Sequence, residues 1–155
     1  MNIKRGILCH GLGQCFSSEV LYMHYNFKNQ QLINNLYLHD FIFTGFSYDY
    51  YAKEVMFSCR KIKKAYNFIF HNVLEINMQS GFFWGEINRI YDIVLGDCTD
   101  EIKKLTEIHS SQGMGTKTTS INLNHSYISV EFPILSGDVL TIICESMDCL
   151  EVDIK

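Results

Sequence analysis

The side chains with which this chain could do chemistry are its histidines, cysteines and carboxylates. Cys9, His10 and Cys15 stand close together near the start. A Cys-x5-Cys spacing is not that of a zinc knuckle, and no second ligand pair follows at a recognisable distance. With Gly6, Gly11 and Gly13 interleaved, residues 1–18 read as a glycine-containing loop with buried thiols. Gly11-Leu12-Gly13 lacks the third glycine of a dinucleotide fingerprint. His39-Asp40 is an adjacent pair, and neighbours on a strand point to opposite faces, so it is no dyad by itself. Cys59 or Cys144 could pair with His39 or His125 only if folding brought them together. Thiols at apolar strand positions are usually inert. The chain has no G-x-S-x-G, no phosphate-binding loop and no H-E-x-x-H. No catalytic residue, no metal site and no cofactor are expected, and the chain reads as non-catalytic.

The carboxylates are more suggestive. Glu145, Asp148, Glu151 and Asp153 fall within nine residues with no basic side chain among them. They read either as a solvated strand face or as a surface that mates with a basic protein, where charge complementarity gives speed and specificity. Trp84, the only tryptophan, lies in Phe82-Phe83-Trp84-Gly85. It reads either as a core plug with its N–H on a carbonyl or as a partner contact, since tryptophan is enriched at binding hot spots. These five residues are the candidate partner-binding set.

The elements that position these residues are mostly strands. The densest apolar stretch runs from Ala65 to Gly85. Its Phe68-Ile69-Phe70 and Val73, Leu74, Ile76 are β-branched or aromatic without proline, the composition of buried strand. His71-Asn72 is a turn, a bulge or a polar interruption between them. Phe41–Tyr48 reads as a strand with Gly45 at a bulge, Tyr48–Lys53 as a turn, and Glu54–Ile62 as the returning strand with Val55, Phe57 and Cys59 on one face. Arg60-Lys61-Ile62-Lys63-Lys64 reads as a solvated hairpin end. Glu19–Phe27 favours a half-buried strand and Lys28–Asn35 a connection or short helical turn.

Ile87–Leu95 fits either period, with strand favoured. Asp97–His109 is the clearest helix, with Thr99 as N-cap and Asp100 and Glu101 in the first turn. Ile121 and Leu123 alternate with asparagines. Ile128, Val130, Phe132 and Ile134 alternate with polar residues, and Pro133 belongs at a strand end or edge. Ser136-Gly137-Asp138 turns the chain into a buried strand, Val139–Cys144. Leu150, Val152 and Ile154 then alternate with Glu151 and Asp153, which should face outward. His39 to Cys59 and His125 to Cys144 read as two similar hairpins in one sheet-based domain, a duplication, or as two generic amphipathic hairpins.

The fold class expected is mainly β, with α+β as the neighbouring class: an antiparallel sandwich-like or curved sheet of hairpins with one or two short helices, in a single domain over residues 1–155. Charged residues make up only 19% against 47% apolar, which excludes intrinsic disorder. A net charge of −4 disfavours phosphate-backbone binding, so no nucleic-acid partner is expected. Lys4-Arg5 followed by Gly6 to Leu12, too short and too polar with His10 inside it, makes a poor signal peptide. No window approaches a membrane span. A cytoplasmic location with six reduced thiols is therefore expected.

Leu38-His39-Asp40, Phe68-Ile69-Phe70-His71-Asn72-Val73, Phe83-Trp84-Gly85 with Ile90–Leu95, and Ser136-Gly137-Asp138-Val139-Leu140 with Ile142-Ile143-Cys144-Glu145-Ser146 carry a resemblance. Over about residues 36–155 the chain resembles small bacterial β-rich proteins of unknown function, some linked to immunity proteins of polymorphic toxin systems. The resemblance implies a protein that binds a cognate toxin and blocks it without chemistry. The alternative from another class is a small-molecule binding module or enzyme with a pocket lined by Tyr48–Tyr51 and Phe82–Trp84. A homo-oligomer with a structural role is left open.

Overall fold

Alternating apolar residues settle which strands form, and the buried aromatics settle how two sheets stack. The structure is a computed structural model and describes residues 2–3, 20–79, 88–111 and 126–154. In chain order the elements are β1 (Asn2–Ile3), β2 (Val20–Asn26), a 3-10 helix (Gln30–Asn35), β3 (Phe41–Asp49), β4 (Glu54–Lys61), β5 (Lys64–His71), β6 (Glu75–Gln79), β7 (Arg89–Ile90), β8 (Val94–Gly96), α1 (Thr99–Ser111), β9 (Ile128–Pro133), β10 (Val139–Cys144) and β11 (Ser146–Asp153). All pairings among the described residues are antiparallel. The larger sheet runs β1-β2-β11-β5-β4-β3-β7 and the smaller β6-β10-β9-β8. The protein is thus mainly β, with two antiparallel sheets and few helices.

The β4 residues Val55, Phe57 and Cys59 alternate with exposed or half-buried neighbours, as do Tyr66, Phe68 and Phe70 on β5. Met147 and Cys149 of β11 complete this inner face. Ile128, Val130 and Phe132 of β9 and Leu140 and Ile142 of β10 supply the facing layer in one buried cluster. Phe132 sits between the sheets. Its ring stacks on Phe57 with centroids 4.4 Å apart and meets Phe68 at 5.5 Å and Phe70 at 6.1 Å.

Among the described residues the sheets are joined at several places, including the bend at Glu145 between β10 and β11. Asn72, with φ 50°, occupies the left-handed region that asparagine tolerates, and turns the chain out of β5 into β6 of the other sheet. The polar break expected at His71-Asn72 is therefore a corner between two sheets. The short β7 pairs with β3, while Ile90 also bridges to Ile134 just beyond β9. The Ile87–Leu95 stretch is accordingly two short strands rather than one.

Several local expectations are refined. A register shift between Phe43 and Gly45 sets the bulge in β3. The start of the chain is not wholly loop, because Asn2 and Ile3 pair with Tyr22 and Leu21. Thr99 is not the N-cap of α1. Ile102 N–H bonds to Cys98 O at 3.0 Å, and the side chain that accepts is Asp97, from Thr99 N–H at 2.9 Å and Thr99 Oγ1 at 2.6 Å. The Phe41–Cys59 and Ile128–Cys144 hairpins both form, but in different sheets. Ile121 and Leu123 lie outside the described residues. Among the described residues, Cys59, Cys98, Cys144 and Cys149 are free thiols. No helix there is long and apolar enough to cross a membrane.

Candidate functional site

On the outer face of the larger sheet, the same alternation that buries Tyr25, Val55, Phe70 and Met147 turns Tyr22, His24, Glu54, His71 and Asp148 away from the core. The strand order β2-β11-β5-β4 sets these five side chains across four adjacent strands. Asp148 is central. Its Oδ1 accepts from Tyr22 Oη at 2.8 Å and contacts His24 Nδ1 at 2.6 Å, and its Oδ2 contacts His71 Nε2 at 3.0 Å. His71 Nδ1 continues the line to Glu54 Oε1 at 2.8 Å.

The chemistry of this line follows from its acceptors. Both ring nitrogens of His71 face carboxylates, and only the imidazolium carries two N–H donors. Partial burial opposes the charge, but the hydrogen bonds to Asp148 and Glu54 outweigh it and raise the His71 pKa above its ordinary value. Asp148 shows the converse. Burial acts to raise its pKa, yet the bonds from His24, His71 and Tyr22 together lower it. With Asp148 already accepting from three donors, the network has little capacity left for a cation. Among the described residues no group of three or more His, Cys, Asp and Glu is placed to hold a metal ion. Desolvation and the bond to Asp148 also raise the Tyr22 pKa, which leaves its hydroxyl a donor rather than a nucleophile.

Two further features adjoin this network. Glu145, at the bend between β10 and β11, accepts from Asn72 Nδ2 at 2.9 Å. The β3–β4 hairpin ends beside Glu54, since Asp49 pairs with Glu54. Asp49 Oδ1 ties the turn by accepting from Tyr51 N–H at 2.9 Å and Ala52 N–H at 3.0 Å. Tyr50 meets both Tyr48 and Tyr51 edge to face on this tip, with Tyr50 75% and Tyr51 97% exposed. These tyrosines stand on an exposed tip, and the Phe82–Trp84 half of the expected pocket lies outside the described residues.

The four acids expected as one surface are divided. Glu145 and Asp148 lie at the hairpin end of the larger sheet, whereas Glu151 and Asp153 lie toward the other end of β11. Glu151 does not face outward. Its register partner is Tyr66, whose hydroxyl donates to Glu151 Oε2 at 2.9 Å on the core side, and Lys64 pairs with its other oxygen. The outward positions at this end of β11 belong to the half-buried Leu150 and Val152. Glu151 is therefore a structural acid. Glu151→Lys is expected to cost about 1–3 kcal/mol, the range for unmaking bonds to a charged group, while Asp153→Lys should stay within about 0.5 kcal/mol. Urea denaturation of the two single variants checks this, and equal midpoints would contradict the assignment.

Trp84 and the whole of Phe82–Trp84 lie outside the described residues, as do Cys9, His10, Cys15 and His125. The His39 and Asp40 side chains approach, Nε2 to Oδ2 at 3.9 Å, which is beyond hydrogen-bond reach. Asp40 takes φ 65°, His39 Nδ1 bonds to Tyr91 O at 3.1 Å, and Arg89 lies 3.6 Å from the Asp40 carboxylate. Cys59 and Cys144 are buried, and burial pushes both thiols up, Cys59 to about 12. Sequence reasoning missed Glu54, His71, His24 and Tyr22. Their common signal is alternation: each falls at a polar-face position of its strand. No protein-family model matches the chain, and no curated protein matches it.

Proposed function

We propose that the protein is a non-catalytic binding protein of the immunity type, which seats a basic toxin on the hairpin end of the larger sheet. The observation that carries this reading is the exposed tyrosine tip, Tyr48, Tyr50 and Tyr51, set beside carboxylates. Tyrosine gives large, rigid contact area at low entropic cost and is enriched at hot spots. Around it Asp49, Glu54, Glu145 and Asp148 outnumber Lys53 and the charged His71, in a chain of net charge −4. Such a patch suits a toxin that is basic where it grips phosphate. The internally bonded Glu54–His71–Asp148 line supports binding over catalysis, because its donors and acceptors are spent on one another.

Tagged protein recovered from its own host is expected to carry a basic protein whose toxic activity it silences. In the double variant Tyr50→Ala/Tyr51→Ala the affinity for that partner should fall by about 2–4 kcal/mol, the range for hot-spot truncation. Stability should change by no more than about 0.5 kcal/mol, because both rings are exposed. Unchanged affinity would remove the tip from the interface. A chain that brings down no basic partner, or that leaves its partner active, would end the immunity reading.

A further inference from the structure

The basic run Arg60–Lys64 is not only a solvated hairpin end. The β4–β5 hairpin borders a groove of about 530 Å³. Its floor is the edges of Phe41 and Tyr66, both almost fully buried, and its rims are Tyr37 and Ile62, which are 68% and 91% exposed. Three lysines of the hairpin surround this apolar space. Lys64 is neutralised by Glu151. Lys61 is not: its Nζ donates to a neutral carbonyl, His39 O, at 3.1 Å and lies 6.0 Å from the centre of the Phe41 ring. Among the described residues no carboxylate pairs with Lys61 or Lys63.

From this we infer a binding site for a small aromatic anion, with the flat body against Tyr37, Phe41 and Tyr66 and the negative group between Lys61 and Lys63. The volume falls within the range of small-molecule pockets, about 300–1,000 Å³. Two uncompensated cations beside an apolar floor favour an anion over a neutral ligand of the same shape, since a cation left against apolar surface gains from a counter-charge. The aromatic rings select a flat body, because offset and edge-to-face contacts add to simple burial. The site lies at the Lys61–Lys64 end of the larger sheet, away from the tyrosine tip. It is therefore independent of the toxin-binding reading, and either can fail alone.

Fluorescence titration of the full chain with 1-anilinonaphthalene-8-sulfonate tests the site. The dye is expected to bind saturably to the folded protein, and its affinity should fall about tenfold in Lys61→Glu/Lys63→Glu, as two screened ion contacts predict. Circular dichroism should not change and the thermal midpoint should move little, since both lysines are exposed and Lys61 gives up only one bond to a surface carbonyl. N-phenyl-1-naphthylamine, which has similar rings without the charge, should bind more weakly and ignore the reversal. Tyr37→Ala, which removes an exposed rim, should weaken both dyes. The inference is overturned if the anionic dye does not bind the folded chain. It is equally overturned if the reversal leaves affinity within about twofold, or if the neutral dye binds as tightly as the anion.

Discussion

Truncating Phe132 to alanine is expected to cost about 3–5 kcal/mol of folding stability. That is a large part of the roughly 5–15 kcal/mol available to a domain. Phe132 is fully buried and is the ring of the smaller sheet that meets Phe57, Phe68 and Phe70 of the larger one. Its removal leaves a cavity between two sheets, each held in shape by its own hydrogen bonds, so neither can collapse easily to fill it. Aromatic contacts of this geometry add about 0.5–1.5 kcal/mol beyond burial. Phe132→Leu, which removes less volume, should cost clearly less, and Tyr51→Ala, at the exposed tip, should cost almost nothing. Guanidinium denaturation orders the three. A loss below about 1 kcal/mol for Phe132→Ala would mean that this ring does not clamp the sheets.

Asp148→Asn is expected to lower stability by about 1–2 kcal/mol near pH 5.5, a value discounted from the range for charged hydrogen bonds because the network is partly solvated. The pH dependence is the sharper signature. Asp148 has a folded pKa below its ordinary 3.8, so its contribution is present above that value and is lost as pH falls through the folded pKa. His71 has a folded pKa above its ordinary 6.5, so its contribution is complete below 6.5 and is lost as pH rises through the folded pKa. Both operate together between about pH 4 and 6.5. In Asp148→Asn the acid limb should shrink, and His71 should titrate nearer its ordinary value. The gap between the melting curves of wild type and variant should then be widest in that window and narrow on both sides. Parallel curves from pH 3 to pH 9 would show that the line of bonds does not couple the two groups.

Alternation made the strands legible. Val55-x-Phe57-x-Cys59 and Val130-x-Phe132 announced their inner faces, Gly45 its bulge, and Ser136-Gly137-Asp138 its turn, where Gly137 takes φ 92°. Period-2 patterns say which residues share a face but not which face is core. That is why Glu151 misled. On β11 the apolar Leu150 and Val152 face out, half-buried, and the acid faces in at the margin of the core, where Tyr66 and Lys64 satisfy it. The candidate site was half legible for the same reason. Asp148 and Glu145 stood out as acids, but His71 and Glu54 join them only because β5 and β4 lie beside β11. No local pattern encodes that neighbourhood, since Tyr22 and Asp148 are 126 positions apart in the chain.

The place of β11 has a kinetic consequence. The strand comes last in order among those of the larger sheet, yet it lies in the interior, between β2 and β5. Until it arrives, β2 and β5 each show a row of unpaired backbone groups flanking a slot one strand wide. Closing so distant a pairing is entropically slow, and the open slot matches any copy of the same strand. Refolding is thus a race between β11 docking within its own molecule and β11 exchanged from a neighbour. The first is independent of concentration and the second grows with it. Dilution therefore favours docking within the molecule.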